Sequence, residues 1–327
     1  MEMNEILTGH EKYIDGKIDI DTSTQSIQDA MYSRDPEKYG DFLKTLGKVE
    51  TALKAMLITK HKVRVELFHC VYYAMRLIDD VVDGDTVPPL SLEERRKLLD
   101  AIIQGSTNRI PNPLYKDLSL KIKSLSAQLG KESEMAEAIR QIIVSMKFDL
   151  DRIMDSEKTR SINDLQENFH KMDIIGTIAG TAIIFGIDPE NATDLLAPLG
   201  EATRIIYNLE DFGDDVSKDL INIPIEDLKR FSISQEDIDD VKQAGKALKI
   251  EMLPKSIKEW FFHELDKIDR LMQQHTTKMQ QRIKFSGLAD IPLSAWRSGY
   301  VMKQRVLPET YEREVLTEAA KIKETLA

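Results

Sequence analysis

Hydrophobic residues recur at helical spacing through nearly the whole chain, and residues that break helices are scarce. One such series is Leu265, Ile268, Leu271 and Met272. Residues spaced three and four apart lie on one face of an α-helix, whereas strands need strict alternation, which hardly occurs here. With only 15 Gly and 11 Pro among 327 residues, long helices are interrupted at few points. The pattern therefore predicts an all-α fold.

The predicted helices are separated by turn-forming segments such as residues 84–89 (GDTVPP) and 186–191 (GIDPEN). They lie near residues 40–58, 61–83, 92–105, 114–129, 132–155, 161–186, 190–214, 234–250, 255–283, 289–304 and 308–325. Residues 1–38 are polar and weakly periodic, so we predict an N-terminal arm there. Residues 39–327 are predicted to form a single all-helical domain.

The charge and cysteine content exclude several classes of protein. Lys and Arg number 45 against 56 Asp and Glu, a net charge of −11, which argues against a nucleic-acid partner. Cys70 is alone, so no intrachain disulfide can form. The N-terminus is acidic and unlike a signal peptide, and the longest apolar stretch, residues 174–187, is shorter than the ~20 residues that span a bilayer. We expect a soluble, cytoplasmic protein without a transmembrane segment.

Two clusters of carboxylates stand out. The first, residues 79–85, reads DDVVDGD, and the second, residues 210–215, reads EDFGDD. On a helix, Asp79 and Asp83 point the same way, as do Asp211 and Asp215, because residues four apart lie one turn apart. Each cluster falls near the C-terminal end of a predicted helix, where the helix dipole disfavours anions.

Something positive should offset these unfavourable charges. Carboxylate oxygens are natural ligands of Mg²⁺, which binds one or two carboxylates together with waters and substrate phosphates. Either cluster alone is more often a solvated acidic helix end. Two clusters about 130 residues apart on different helices favour Mg²⁺ ions that hold a diphosphate between them.

The neighbours of the first cluster fit this hypothesis. Arg76 lies one turn before Asp79 and could neutralise a phosphate, although an intrahelical ion pair is nearly as good an interpretation. Phe68 and Tyr72 lie further back on the same face and could line an apolar pocket, or could simply be core residues. Glycines at 176 and 180 give the helix over 161–186 a small face, which indicates either close helix packing or a cavity lining.

Residues 72–83 (YYAMRLIDDVVD) resemble the first aspartate motif of the squalene/phytoene synthase family, Y-A-x-x-R-x-x-D-D-x-x-D. Residues 209–215 (LEDFGDD) and 223–228 (IPIEDL) resemble the second motif and the segment that follows it. Weaker likenesses occur at residues 146–150 (MKFDL) and 174–179 (IIGTIA). In this order the motifs extend over roughly residues 60–300.

The resemblance implies an isoprenoid synthase helical bundle that encloses a central cavity. It also implies Mg²⁺-dependent ionisation of farnesyl or geranylgeranyl diphosphate, with two molecules coupling head to head and NADPH needed only for a squalene-type reduction. Carried over by position, the metal-binding and catalytic residues are Asp79, Asp83, Asp211 and Asp215, and Arg76 binds diphosphate. The further substrate-binding candidates are Phe68, Tyr72, Tyr207 and Asn208.

The second motif departs from the family pattern. Tyr207 stands where the family has Asn, Glu210 where it has Arg, and Arg204 where it has Gln. In the following segment, Leu220 and Asn222 replace Arg and Tyr. These changes leave open a class I terpene cyclase on the same scaffold, which would convert one prenyl diphosphate to a C15 or C20 terpene. Asp219, four residues after Asp215, would complete a metal triad of the cyclase type.

Two remoter alternatives remain. The pairs Glu66/His69 and Glu167/His170 have the Glu-x-x-His spacing of half a di-iron site in a helical bundle. A non-catalytic relative that retains the fold is the other. Peripheral contact with a membrane for product release, NADPH use and the oligomeric state are left open by the sequence.

Overall fold

The structure is a computed structural model that describes residues 60–84, 90–104, 113–286 and 315–326. Within these ranges every regular element is helical, which confirms the all-α prediction and is consistent with an isoprenoid synthase bundle. None of the described helices combines the length and apolar character needed to cross a bilayer. The arm predicted at 1–38 and the helices predicted near 40–58 and 289–304 lie outside the described residues.

The chain divides into two compact units, Met1–Glu132 and Ser133–Ala327. In the first unit, α1 (His61–Asp83) packs against α3 (Pro113–Gln128), and α2 (Leu92–Ile103) contacts α1. A stripe of buried residues runs along α1: Leu67, Cys70, Ala74 and Ile78. Helix α2 begins with a capping box, in which Ser91 and Glu94 each accept a hydrogen bond from the other's backbone N–H.

The second unit contains most of the remaining helices. They are α4 (Glu132–Met154, which starts at the boundary), α5 (Ile162–Phe169), a π-helix (His170–Ile178), α6 (Ala179–Phe185), α7 (Pro189–Glu210), α8 (Phe212–Ser217), α9 (Ile225–Arg230), α10 (Gln235–Ala244) and α11 (Lys255–Ser286). Short 3₁₀ turns lie at Gly245–Ala247 and Ile250–Met252. Residues 315–326 are helical and add Val315, Ala319 and Ile322 to the core.

Helices α7 and α11 form the main packing contact of the second unit. The series Leu265, Ile268, Leu271 and Met272 is buried on α11, as its helical spacing predicts. Trp260 and Phe261 lie on the same helix and pack around Phe212, the first residue of α8, with ring centroids 5.7 and 5.3 Å away. The start of α8 is therefore anchored in the core.

The small face of the helix predicted over 161–186 serves close packing at Gly176. A β-carbon added there would lie 2.3 Å from Cγ1 of Ile142 on α4. Of the two interpretations of this glycine face, close helix packing is therefore confirmed at this position. The middle of the segment is a π-helix, a local widening that residue periodicity does not reveal.

Two helices end at earlier residues than their apolar patterns predict. The helix predicted over 234–250 ends at Ala244, because Gly245 has φ 51°, a conformation open to glycine at little cost. The helix predicted over 190–214 is interrupted at Asp211, which separates α7 from α8. This second break lies inside the acidic cluster.

Candidate functional site

The first acidic cluster lies at the C-terminal end of α1, as predicted. Gly84 ends this helix in a left-handed conformation (φ 84°), and its N–H donates to the carbonyl of Asp80. Arg95 of α2 donates to the carbonyl of Val82 at 3.1 Å, so a guanidinium lies at the negative end of the helix dipole. Part of the charge compensation that the cluster requires thus comes from the protein.

Arg76 contacts the carboxylates of this cluster directly. Its Nη1 lies 2.6 Å from Oδ2 of Asp79, and its Nε lies 3.6 Å from Oδ1 of Asp80. The intrahelical ion pair anticipated as an alternative is therefore present. Because the side chains of Arg76 and Asp79 are 26% and 36% exposed, both remain accessible to a ligand. Asp83, one turn further on, is exposed.

The two predicted aromatic residues of α1 are partly buried. Burial raises the pKa of Tyr72, the charge of Arg76 lowers it and that of Asp79 raises it, so the Tyr72 hydroxyl lies within electrostatic reach of the first cluster. Its ring also meets that of Tyr73 edge to face, with centroids 6.0 Å apart. Phe68 is likewise neither fully buried nor exposed. Their roles in substrate binding stay predictions.

In the second cluster, the carboxylates lie around the break between α7 and α8. Asp211 has φ −88° and ψ 3°, and its N–H donates to the carbonyl of Tyr207. Asp215 donates its N–H to the carbonyl of Asp211 at 2.8 Å. The helical hydrogen bonds thus continue across the break, and the two aspartates remain one turn apart as predicted.

Asp219 does not continue this series. Helix α8 ends at Ser217, and Asp219 has φ 64° in the following turn, where it forms an ion pair with Lys242. The spacing of four residues from Asp215 is therefore not helical spacing. The prediction that Asp211, Asp215 and Asp219 lie on one helix face is therefore wrong for Asp219.

Replacing Asp219 by asparagine tests this correction. Asparagine tolerates the left-handed conformation, and the lost pair with Lys242 is partly exposed and worth about 0–1 kcal/mol. We expect the Asp219→Asn variant to retain turnover of a prenyl diphosphate within about twofold, measured as diphosphate release. A loss of about 100-fold or more, typical of removing a group that stabilises the transition state, would restore Asp219 to the site.

Asp215 is joined to a buried polar network. Nδ2 of Asn222 donates to Oδ2 of Asp215 at 3.0 Å, and Oδ1 of Asn222 accepts from Nη1 of Arg152 at 3.0 Å. Arg152 also donates to Oδ1 of Asp149 at 3.0 Å and to the carbonyl of Ile221. Its side chain is 0% exposed. The network therefore links α4 to the acidic end of α8.

The electrostatics of this network favour the protonated forms of two carboxyl groups, Asp215 and Asp149. Burial and the charges of Asp211 and Asp149 raise the pKa of Asp215 to about 7, although Lys218 acts in the opposite direction. Burial also raises the pKa of Asp149, despite the charges of Arg152 and Arg204. Carboxylates that raise one another's pKa are more stable when a positive ion lies between them.

Arg204 and Asp173 form a second charged contact, from α7 to the π-helix. The guanidinium donates from Nε at 2.8 Å and from Nη2 at 2.7 Å to the two carboxylate oxygens, which is the bidentate geometry of a strong pair. It also lies over the ring of Phe169, 5.4 Å from the centroid. Burial lowers the pKa of Arg204, but the hydrogen bonds and charge of Asp173 raise it overall. The arginine that replaces the family's glutamine is thus neutralised within the chain.

A pocket of about 530 Å³ lies in the second unit beside these groups. Its lining includes Asp173, Arg204, Asn208, Asn222, Trp260 and Glu264. Asn208, a predicted substrate-binding residue, is therefore placed at a cavity together with Asn222. Tyr207, its neighbour on α7, is 44% exposed and does not line this pocket.

Among the described residues, no group of three or more His, Cys, Asp or Glu side chains is arranged to hold a metal. The di-iron alternative gains no support, since Glu66 lies 2.6 Å from Lys121 and the exposed Glu167 lies 2.6 Å from Lys171. Mg²⁺ needs fewer protein ligands, because waters and substrate phosphates complete its shell. The metal-binding roles of Asp79, Asp83, Asp211 and Asp215 stay predictions.

Sequence reasoning did not single out Arg152, Asp149 or Asp173. The only signal was the weak likeness of residues 146–150 to a family segment, which contains Asp149. Asn222 was noted only as a departure from the family pattern, whereas it connects Asp215 to Arg152. An asparagine between two charged groups is recognisable only when the fold brings positions 70 residues apart together.

The distant relatives found by comparison with known proteins include two phytoene synthases. A 15-cis-phytoene synthase of Synechocystis sp. is 25% identical over 189 residues, which cover 51% of this chain and 50% of that protein. Phytoene synthase 2, chloroplastic, of Zea mays is 24% identical over 186 residues, which cover 54% of this chain and 42% of that protein. No protein-family model and no solved structure matches significantly.

The chain spans about half the length of the curated relatives it matches. At a coarse level, these similarities support a likeness to the phytoene/squalene synthases. They name the same family that the sequence motifs resemble.

Proposed function

We propose that this protein is a Mg²⁺-dependent isoprenoid synthase that ionises farnesyl or geranylgeranyl diphosphate and couples two molecules head to head. The observation that carries the proposal is the environment of Asp215, where burial and neighbouring carboxylates raise the pKa to about 7. A carboxylate so placed is unfavourable without a cation. The likeness to phytoene synthases supports a prenyl diphosphate as the substrate that would accompany such a cation.

The donor set fits Mg²⁺. The predicted ligands are all carboxylates, in two pairs on α1 and around the start of α8, and a hard divalent cation prefers oxygen ligands. When bound, the metal would act as a Lewis acid on the diphosphate oxygens. In the proposal Asp79 and Asp83 hold metal from the first cluster, and Asp211 and Asp215 hold it from the second.

The chain's own residues supply positioning and charge. Arg76 would exchange part of its contact with Asp79 for a diphosphate oxygen, since a guanidinium can donate to several acceptors. Phe68 and Tyr72 would shield the departing allylic chain from water. Asn208 would contribute from α7, where it lines the described pocket. Exclusion of water matters because an allylic cation reacts with it.

A class I terpene cyclase on the same scaffold remains the second candidate. The uncharged Leu220 and the acidic Glu210, each in place of an arginine of the family pattern, are the features in its favour. The position of Asp219, turned into an ion pair with Lys242, weighs against the metal triad that suggested it. Product size distinguishes the two functions.

The decisive experiment incubates the protein with farnesyl or geranylgeranyl diphosphate, each with Mg²⁺ or EDTA, and with and without NADPH. Released diphosphate and extracted hydrocarbons are measured in the same samples. A Mg²⁺-dependent C30 or C40 product is the expected result. A C15 or C20 hydrocarbon would show that the enzyme cyclises one substrate instead of coupling two. If no substrate gave a product or released diphosphate, a non-catalytic relative would be favoured.

Arg76→Ala is expected to lower kcat/KM for the prenyl diphosphate by about 100-fold, the scale for removing one electrostatic stabiliser of a transition state. The fold should persist, because a partly exposed ion pair between residues three apart contributes about 1 kcal/mol or less. Steady-state kinetics and thermal unfolding measure the two effects. Arg140→Ala is the matched control, because Arg140 forms an i,i+3 pair with Glu137 at 2.7 Å. If Arg76→Ala and Arg140→Ala had equal activity, Arg76 would serve only in its intrahelical ion pair.

A further inference from the structure

Asn222 lies in the loop between α8 and α9 and is 7% exposed. Both ends of its amide are used, one by Asp215 and the other by Arg152, each at 3.0 Å. Arginine only donates, so the amide oxygen must face it, and the amide nitrogen must then face the carboxylate. The chemistry of the two partners therefore determines the orientation of this amide.

Arg152 provides a rigid anchor for Asn222. Its fully buried guanidinium donates to Asp149 and to the carbonyl of Ile221, and it lies over the ring of Phe148, 5.7 Å from the centroid. Breaking any of these bonds would leave a buried polar group without its partner, which costs about 1–3 kcal/mol. The guanidinium and the amide it holds consequently have little freedom to move.

Because the Asn222 amide is held in place, it also restrains the carboxylate of Asp215. The hydrogen bond from Asn222 engages Oδ2 and thereby restricts the orientation of the carboxylate. Within the described part of the chain no other side-chain hydrogen bond to this carboxylate is found, so Asn222 is the group that restrains it through a hydrogen bond. Groups that orient a metal-ligating carboxylate typically change metal affinity 10- to 100-fold when they are removed.

We propose that Asn222, anchored by Arg152, is a positioning residue that orients Asp215 for a divalent cation and its diphosphate. The inference rests on the proposed function for the identity of the ligand. It assigns a role to a position at which the chain departs from the family that it resembles. Because asparagine is uncharged, its replacement leaves the number of charged side chains in the cluster unchanged. Measuring metal affinity above pH 8, where Asp215 is mainly ionised, limits the effect of proton competition.

The test is the affinity of the metal-free protein for Mn²⁺ in the presence of inorganic diphosphate, with free Mn²⁺ measured by electron paramagnetic resonance. Asn222→Ala is expected to weaken Mn²⁺ binding by about 10- to 100-fold. Asn191→Ala is the matched control, because Asn191 donates to the carboxylate of Asp188 at the opposite end of α7. Its affinity for Mn²⁺ should equal that of the wild type.

A second variant keeps the inference testable if Asn222→Ala does not fold. Arg152→Lys retains the buried positive charge but loses the planar fork that reaches Asn222, Asp149 and Ile221 together. It should also weaken Mn²⁺ binding. Raising the metal concentration should restore part of the turnover of either variant, which a merely structural defect would not allow.

The outcomes separate the two proposals. A folded Asn222→Ala variant that binds Mn²⁺ within twofold of the wild type would overturn the role of Asn222 and leave the proposed function standing. A wild-type protein that binds Mn²⁺ with diphosphate but converts no prenyl diphosphate would overturn the proposed function, and the variants would still decide the role of Asn222. A wild-type protein that binds no Mn²⁺ would overturn both.

Discussion

Replacing Asp79 and Asp211 together by alanine is expected to abolish turnover, with kcat/KM for a prenyl diphosphate falling by at least about 10³-fold. The removal of one electrostatic stabiliser costs about 10²–10³, and this variant removes one predicted metal ligand from each acidic cluster. The fold should survive. Asp211 is exposed, and the side chain of Asp79 is 36% exposed.

Diphosphate release at saturating Mg²⁺ measures this effect, with thermal unfolding as a check on the fold. The matched control is Asp117→Ala/Asp239→Ala, which removes two exposed aspartates, one from α3 and one from α10. The control removes the same charge and should keep wild-type activity. An active Asp79→Ala/Asp211→Ala protein would exclude both clusters from the chemistry.

Much of the helical architecture could be predicted from residue periodicity and from turn-forming residues. The prediction of a helix over 61–83 matches α1, His61–Asp83, because Gly84 ends the apolar pattern with a residue suited to the left-handed conformation. The break at Asp211 could not be predicted in this way. The apolar pattern continues through Phe212 and Val216, and Phe212 packs against the aromatic residues of α11, a contact that periodicity does not reveal.

The candidate site was predictable only where its residues are close in sequence. The pair Arg76–Asp79 follows from helical spacing, so both its contact and its alternative interpretations were evident. Arg204–Asp173 and Arg152–Asn222 join residues 31 and 70 positions apart. Such contacts depend on how helices pack. The departures at Arg204 and Asn222 were visible in the sequence, but their partners were not.

Asp215→Asn is expected to make the metal-free protein more stable at pH 8 and catalytically inactive. Burial and the neighbouring carboxylates raise the pKa of Asp215 in the folded protein from its ordinary value of 3.8 to about 7. Between these values the unfolded chain has lost this proton while the folded chain retains it. The folded state therefore binds more protons, and stability falls as pH rises through this window.

The expected size of the effect follows from the shift. At 1.36 kcal/mol per pKa unit, ionisation of Asp215 lowers the free energy of unfolding by about 4 kcal/mol above pH 7. This loss of stability disappears near pH 4. An asparagine at this position does not titrate and can still accept from Nδ2 of Asn222. The melting temperature of Asp215→Asn minus that of the wild type, measured in EDTA, should therefore increase by several degrees from pH 4 to pH 8.

At pH 8, the addition of Mg²⁺ and inorganic diphosphate should make the wild type more stable than Asp215→Asn. A ligand that binds only the folded state stabilises it by an amount that grows with its concentration, and the ionised Asp215 is the form that binds a cation. The wild type should gain stability on addition, whereas Asp215→Asn should gain little. If the difference in melting temperature did not change with pH, Asp215 would not carry the buried charge. If both proteins gained equally from Mg²⁺, the unfavourable carboxylate would have no role in holding the metal.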